Sequence, residues 1–403
     1  MSDPIAVADL PALRLKRNED RRLNAGHLWI FSNEVDTQQT ALAKFAAGDL
    51  VRVLAHNDRA LGLAYVNPQS LICARLLGTW KLPDVTWMVA RLKVALNLRE
   101  RLYAQPYYRL VYGESDGLPG LVVDRYGSTC VVQMGTAGME ALKLNIQQAL
   151  VKVLGCTTIV FKNDSAAREM EGLSSYVEPG LGELVASLQV VEDGLEFEVP
   201  LAEGQKTGWF FDQASNRRAL LKYLRPGARV LDVFSYVGAW AVRASKNGAA
   251  EVLCIDSSAI ALEFAEANAI QNGVTLATRK GDAFDVLEDL AKQGKQFDIV
   301  ILDPPAFAKR KKDLPKAIAA YKRLNQLAMK ILASDGILVT CSCSYHLSGE
   351  ELQDAIAKAA RAADKHLQIL EMGGQAPDHP VHPAIAETRY LKAYFCRVTG
   401  SLQ

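Results

Sequence analysis

The sequence predicts an α/β protein: a parallel sheet wound with helices in the carboxyl-terminal half, behind a β-rich head and a small α+β section. Three observations carry this reading. From about residue 204 the chain repeats strand, turn and helix, the sequence form of a parallel α/β sheet. Before residue 80 it runs instead in short apolar segments broken by Gly, Asn, Asp and Pro. Its 403 residues also exceed what one hydrophobic core ordinarily supports. The expected division is 1–80, 81–200 and 201–403.

In the head, GDLVRVLAH, ALGLAYV and LICARLL read as strands of a small barrel. The segment VTWMVARLKVALNLRERLY, residues 85–103, has apolar residues three and four apart and reads as a helix. Next, YRLVYGESDGLPGLVVDRYGSTCVVQM supplies strands punctuated by Asp116-Gly117 and Pro119-Gly120. A helix near 139–153, a strand in TTIVFKND and two further strands to about Leu201 complete the middle section. Five strand candidates follow: ARVLDVFS, AEVLCID, LATRKGD, FDIVILDPP and GILVTCSCS. The chain then ends in LQILEM and RYLKAYFCRVT, two strands with no helix between them.

Composition narrows the classes. The 49% hydrophobic and 23% charged residues describe a folded chain, and no apolar run reaches the length of a membrane span. No signal peptide is expected from the first residues, so the cytoplasm is the expected compartment. Seven scattered cysteines do not form a disulfide framework, and Cys341-Ser342-Cys343 lacks a second ligand cluster, so no metal is expected. A net charge of +1 says little about nucleic acid, because binding needs a local basic patch. Two runs qualify: Arg14, Lys16, Arg17, Arg21 and Arg22 in the head, and Lys309, Arg310, Lys311 and Lys312 later. Basic runs are more often solvated surface than binding sites.

In an open parallel sheet, ligands sit beyond the carboxyl ends of the strands. Asp232 ends the first such strand and precedes a turn containing Gly238. Only one glycine of a GxGxxG fingerprint is present, which disfavours a dinucleotide and suits a nucleoside without phosphates, such as S-adenosylmethionine. Asp256 ends the next strand 24 residues on, where a carboxylate can accept both ribose hydroxyls. Asp282, at the third strand end, can accept from an adenine amino group or cap a helix. Asp303-Pro304-Pro305-Ala306-Phe307 is a stiff loop at the fourth strand end, and Phe307 could stack on an extruded base. Cys341 and Cys343 end the fifth. A buried cysteine is ordinarily inert packing. A thiolate here, however, could add to carbon 6 of a pyrimidine and make carbon 5 nucleophilic.

In these motifs the chain resembles the bacterial RlmI-type large-subunit ribosomal RNA cytosine-C5 methyltransferases over nearly its whole length. HLWIFSNEV, GESDGLPGLVVDRYG, GQKTGWFFDQASNR, LDVFSYVGAWAV, LDPPAFAK, TCSCS, HPV and RYLKAYFCRV carry the resemblance. It implies a PUA-like RNA-binding head, a class I (Rossmann-like) methyltransferase domain, S-adenosylmethionine as cofactor and ribosomal RNA as partner. It implies Lys206, Thr207 and Phe210 near the cofactor, and Asp232, Ser235 and Tyr236 at its methionine end. Asp256 and Ser257 would take the ribose, Asp282 and Ala283 the adenine. Asp303 would hold the cytosine beside the cofactor, and Cys343 would be the nucleophile. The sequence departs from the pattern at Cys341, where a bulky apolar residue is expected. Two other readings stay open: methylation of a base nitrogen, which needs no Cys343, and a non-catalytic RNA-binding protein with a vestigial pocket. An NAD-dependent oxidoreductase is weakened by the missing glycines. The target nucleotide and a homodimer are not legible.

Overall fold

The computed structural model describes residues 6–201, 207–308 and 310–400. Lys206 and Lys309 lie outside them. The chain forms two compact units, one of Met1–Ala186, Leu201–Trp209 and Pro377–Thr388, the other of Ser187–Pro200, Phe210–Ala376 and Arg389–Gln403.

The first unit holds two five-stranded sheets. The head sheet runs β1 (Ala12–Arg14), β2 (Trp29–Ile30), β3 (Leu50–Leu54), β4 (Ala60–Val66) and β5 (Ala74–Leu76), in the order β1-β3-β4-β5-β2. Val51 and Val53 alternate inward with period two and meet Leu13, Ile30 and Val66 in one core. The second sheet contains β6 (Tyr107–Tyr112), β7 (Leu121–Tyr126), β8 (Thr129–Met134), β9 (Thr158–Asn163) and β10 (Tyr176–Leu181), in reverse chain order. Helix Val85–Leu102 packs on it through Met88, Leu92 and Ala95; its start is fixed by Asp84, whose carboxylate accepts from the Trp87 amide at 2.7 Å.

The head sheet and the second sheet share this unit. Tyr65 explains why: its ring lies where a Cβ on Gly138 would come within 2.0 Å, and its hydroxyl donates to Pro119 O at 2.8 Å. Glu171 adds a buried polar tie, accepting from Arg75 and Asn67 at 2.9 Å each.

The second unit contains a hairpin, β11 (Ser187–Glu192) with β12 (Leu195–Pro200), and a seven-stranded sheet. The hairpin was expected in the middle section. It joins this unit because Asn268 and Asn272, on helix Ala259–Gln271, bond the backbone of β12: Asn268 spans both sides of Glu198, and Asn272 both sides of Glu196. The sheet strands are β13 (Arg229–Val233), β14 (Glu251–Asp256), β15 (Ala277–Lys280), β16 (Phe297–Leu302), β17 (Leu332–Ser342), β18 (Lys365–Gly373) and β19 (Lys392–Gly400). Their order is β15-β14-β13-β16-β17-β19-β18. All neighbours are parallel except β17 with β19 and β19 with β18. The final strand pair is therefore antiparallel, as its missing helix required. Helices cover both faces over apolar cores. Among the described residues, no helix is long and apolar enough to cross a membrane, and no cluster of His, Cys, Asp and Glu could hold a metal ion.

Candidate active site

The order of β13, β14 and β15 on one side and β16 and β17 on the other reverses at β13, so a crevice opens at the carboxyl ends of the central strands. Four of the singled-out acids and both cysteines lie at these ends.

Asp232 is fully buried near the end of β13. One carboxylate oxygen accepts from the Ala241 amide at 3.2 Å; the other has no hydrogen-bond partner. After β13 the chain makes a strained turn. Phe234 and Tyr236 take φ of 64° and 49°, and Gly238 takes 80°. A Cβ on Gly238 would meet the Ala265 Cβ at 3.0 Å, so glycine serves both the backbone and the close approach of the next helix. The turn buries Ser235, whose hydroxyl also lacks a partner. Asp256 holds the turn from β14, accepting from the Tyr236 amide and the Ser258 amide at 2.9 Å each.

Asp303 follows β16. Its two carboxylate oxygens accept from Gln213 Nε2 at 2.8 Å and Trp240 Nε1 at 3.2 Å. Gln213 is itself oriented by Asn216, which donates to its side-chain oxygen at 2.6 Å. Burial, reinforced by the neighbouring Asp303 charge, pushes the Asp232 carboxyl up to about 8. Burial also raises Asp303 to about 6, against the lowering effect of its Trp240 hydrogen bond. Two raised carboxyls and an unpartnered buried Asp232 oxygen describe a site short of positive charge even with the buried Arg217 nearby. A sulfonium with an ammonium group fits that deficit; a phosphate does not.

At the end of β17, Cys341 and Cys343 part company. Cys341 has no exposed surface and packs with Ile299, Ile301, Val339 and Phe395; burial drives its thiol far above the usual range. Cys343 lies one residue past the strand, partly exposed, with Sγ 3.9 Å from Pro304 O in the Asp303-Pro304-Pro305 loop. Hydroxyls brace the loops beside it: Tyr321 donates to Ser342 Oγ at 2.9 Å, and the Ala308 amide to Ser344 Oγ at 3.3 Å. Lys392, opposite Ser342 on β19, donates to the carbonyls of Ser344 and Leu347 at 2.6 Å each.

The remaining expected residues have the following surroundings. Asp282 caps helix Ala283–Lys292 through the Phe284 and Asp285 amides, and its side chain remains exposed. Ala283 is buried in the sheet core, while Ser257 is exposed. Phe210 meets Tyr236 edge to face at 5.6 Å. Thr207 belongs to the first unit, where its hydroxyl donates to Asp124. Phe307 packs on Tyr321, ring centroids 4.8 Å apart, within an aromatic group that includes Phe284.

Of the basic residues, Arg14 is engaged by Asp58, and Arg22 by Glu34 at 2.8 Å and by the Phe31 ring. The Lys16 ammonium donates to Asn33 O. Arg17, Arg21, Lys311 and Lys312 are exposed, and Arg310 pairs with Asp313 on the surface. Sequence reasoning missed Gln213, Trp240 and Lys392, although each stands inside a quoted motif. It also missed a cavity of about 820 Å³ in the first unit, walled by Trp29, Phe31 and Tyr112 and edged by Glu114, Glu171 and Glu387.

Comparison with known proteins gives a consistent picture. A PUA-like domain family matches residues 13–79, and an S-adenosylmethionine-dependent methyltransferase family matches residues 168–396. The ribosomal RNA large subunit methyltransferase I of Klebsiella pneumoniae (strain 342) is 35% identical over 400 residues, covering 96% of this chain and 98% of its own. The protein of the same name from Shewanella frigidimarina is 35% identical over 398 residues, covering 96% and 99%. Among solved structures, SMU.776 complexed with SAH matches with a TM-score of 0.81 over 96% of this chain and 100% of that one. At 21% sequence identity that likeness speaks for the fold.

Proposed function

This chain belongs to the ribosomal RNA large subunit methyltransferase I family, and from that premise we propose that it methylates carbon 5 of a cytosine in large-subunit ribosomal RNA, with Cys343 as nucleophile. It is an S-adenosylmethionine-dependent methyltransferase. The names of its relatives supply the ribosomal substrate; the choice of atom rests on the thiol. The observation that carries it is the contrast at the end of β17. Cys341 is sealed in the core, while Cys343 stands past the strand end against the Asp303-Pro304-Pro305 loop.

When bound, S-adenosylmethionine supplies an electrophilic methyl group on a sulfonium. Asp232, Ser235 and Tyr236 would hold its methionine end, Asp256 with Ser257 its ribose, and Asp282 with Ala283 its adenine; Phe210 flanks Tyr236. The deficit of positive charge around Asp232 supports that assignment. The Cys343 thiolate adds to carbon 6 of the cytosine, and the electron pair moves to carbon 5, which becomes nucleophilic. After methylation, a base removes the proton from carbon 5 and the thiolate leaves carbon 6, restoring the ring. Asp303, with its carboxyl raised to about 6, exchanges a proton near neutrality, which suits a group facing the cytosine ring nitrogen and amino group.

RNA carrying 5-fluorocytosine at the target tests the scheme. Fluorine cannot leave as a proton does, so the enzyme should remain covalently attached through Cys343, seen as a mass shift on the peptide containing it. Methylated product with no adduct would exclude thiol addition.

A further inference from the structure

We propose that Lys392 is a positioning residue for Cys343: its ammonium ties down the turn that follows the nucleophile and keeps a positive charge beside it. The inference rests on the cytosine-C5 reading and adds a residue to it. Antiparallel pairing sets Lys392 opposite Ser342, one position from Cys343. From there Nζ donates to two carbonyls of the same turn, Ser344 O and Leu347 O, at 2.6 Å each. Two short bonds from one cation to one turn restrict the chain on the carboxyl side of the thiol. On the other side, Cys343 Sγ contacts Pro304 O of the stiff proline loop. The nucleophile is thus held from both directions.

The charge has a second consequence. Cys343 and Lys392 interact electrostatically, and the thiolate favours the protonated amine. By linkage, the protonated amine favours the thiolate to the same extent. Of the other titratable groups near the pair, the acids facing the thiol disfavour its charge, whereas Glu351 helps to keep Lys392 protonated. Tyr321, from helix Leu314–Lys330, and Cys341, on β17, both couple unfavourably to a Cys343 charge. Asp303 couples unfavourably to those same two groups, and Glu351, from helix Gly349–Ala362, faces Lys392. His346 lies within the turn, its ring 5.2 Å from that of Tyr345. Lys392 is the amine set against these acids. Its partial burial lowers its own pKa to about 8, so the support is present at neutral pH and fades as pH rises through that value.

The test is the pH dependence of alkylation at Cys343, followed by intact mass. The other six cysteines are buried, which makes the reaction selective. Wild type, Lys392→Met and Lys392→Arg are compared between pH 6 and 9, with S-adenosylmethionine affinity as the check on folding. The proposal expects Lys392→Met to react about tenfold more slowly at pH 7, its profile moved up by about one pH unit. Lys392→Arg should recover most of the rate, because it restores the charge. Superimposable wild-type and Lys392→Met profiles would overturn the proposal. So would an arginine variant as slow as the methionine one with cofactor affinity intact. If Lys392→Met fails the affinity check, the wild-type and arginine profiles decide alone, and an arginine variant about tenfold slower than wild type at pH 7 with cofactor affinity intact would overturn the proposal. Because alkylation needs no RNA, these outcomes are separable from failure of the cytosine reading, which is decided by methyl transfer in Cys343→Ala.

Discussion

Lowering the pH should weaken S-adenosylmethionine binding through Asp232. Burial and the charge of Asp303 raise this carboxyl to about 8 from a usual value near 3.8. A carboxyl raised on folding stabilises the ligand-free fold at low pH, and that contribution is lost as pH rises from about 4 to about 8. A cationic ligand reverses the preference, because it binds the ionised form. At pH 8.5 about three quarters of Asp232 is ionised, and at pH 6.5 about 3%. Affinity should therefore fall about 25-fold over that interval, near 2 kcal/mol. The cofactor's own amino group titrates in the same range, with α-amino pKa values of about 8. The profile must therefore be divided by that of Asp232→Asn, which keeps the size and one acceptor oxygen and loses the charge. Equilibrium titrations at pH 6.5, 7.5 and 8.5 give the ratio. A ratio constant across the three would refute the electrostatic reading of the site.

Further expectations follow from the same geometry. Cys341→Ala should leave methyl transfer within about twofold of wild type and cost about 1 kcal/mol in urea unfolding, because the residue only packs. Glu192→Gln should cost more, about 3 kcal/mol, since Glu192 is the carboxylate between the buried Arg217 and Arg243, and its loss removes the bidentate partner of Arg217 while Arg243 keeps Asp193 at 2.9 Å; a melting temperature unchanged from wild type would contradict this. If the head carries RNA, Arg17→Ala with Arg21→Ala should reduce the salt dependence of RNA affinity by a log–log slope of about 1.5. Arg14→Ala should instead show up in stability, its guanidinium being engaged by Asp58 and His56 O.

The strands and the acids at their ends were legible because each obeys a local rule. Val51 and Val53 show period two, Asp84 caps a helix, and Asp232 and Asp256 end apolar runs at the spacing a parallel sheet requires. What escaped was non-local. Nothing near Glu196 or Glu198 announces that Asn268 and Asn272, some 70 residues on, would draw the hairpin into the second unit. Gln213 and Trp240 are unremarkable in sequence, and only the fold brings both to the Asp303 carboxylate. Lys392 reads as one polar residue in an apolar strand until antiparallel pairing sets it opposite Ser342. The two cysteines show the limit from the other side. Alternation suggests a shared face, but the strand stops at Ser342, so one thiol packs and the other is partly exposed.

The most direct measurement is transfer of label from methyl-labelled S-adenosylmethionine to large-subunit ribosomal RNA, with the nucleosides then separated, for wild type and Cys343→Ala. The account predicts label in 5-methylcytidine for wild type and none for the variant, with cofactor affinity equal in both. Undiminished transfer by Cys343→Ala, or label on a base nitrogen, would contradict it.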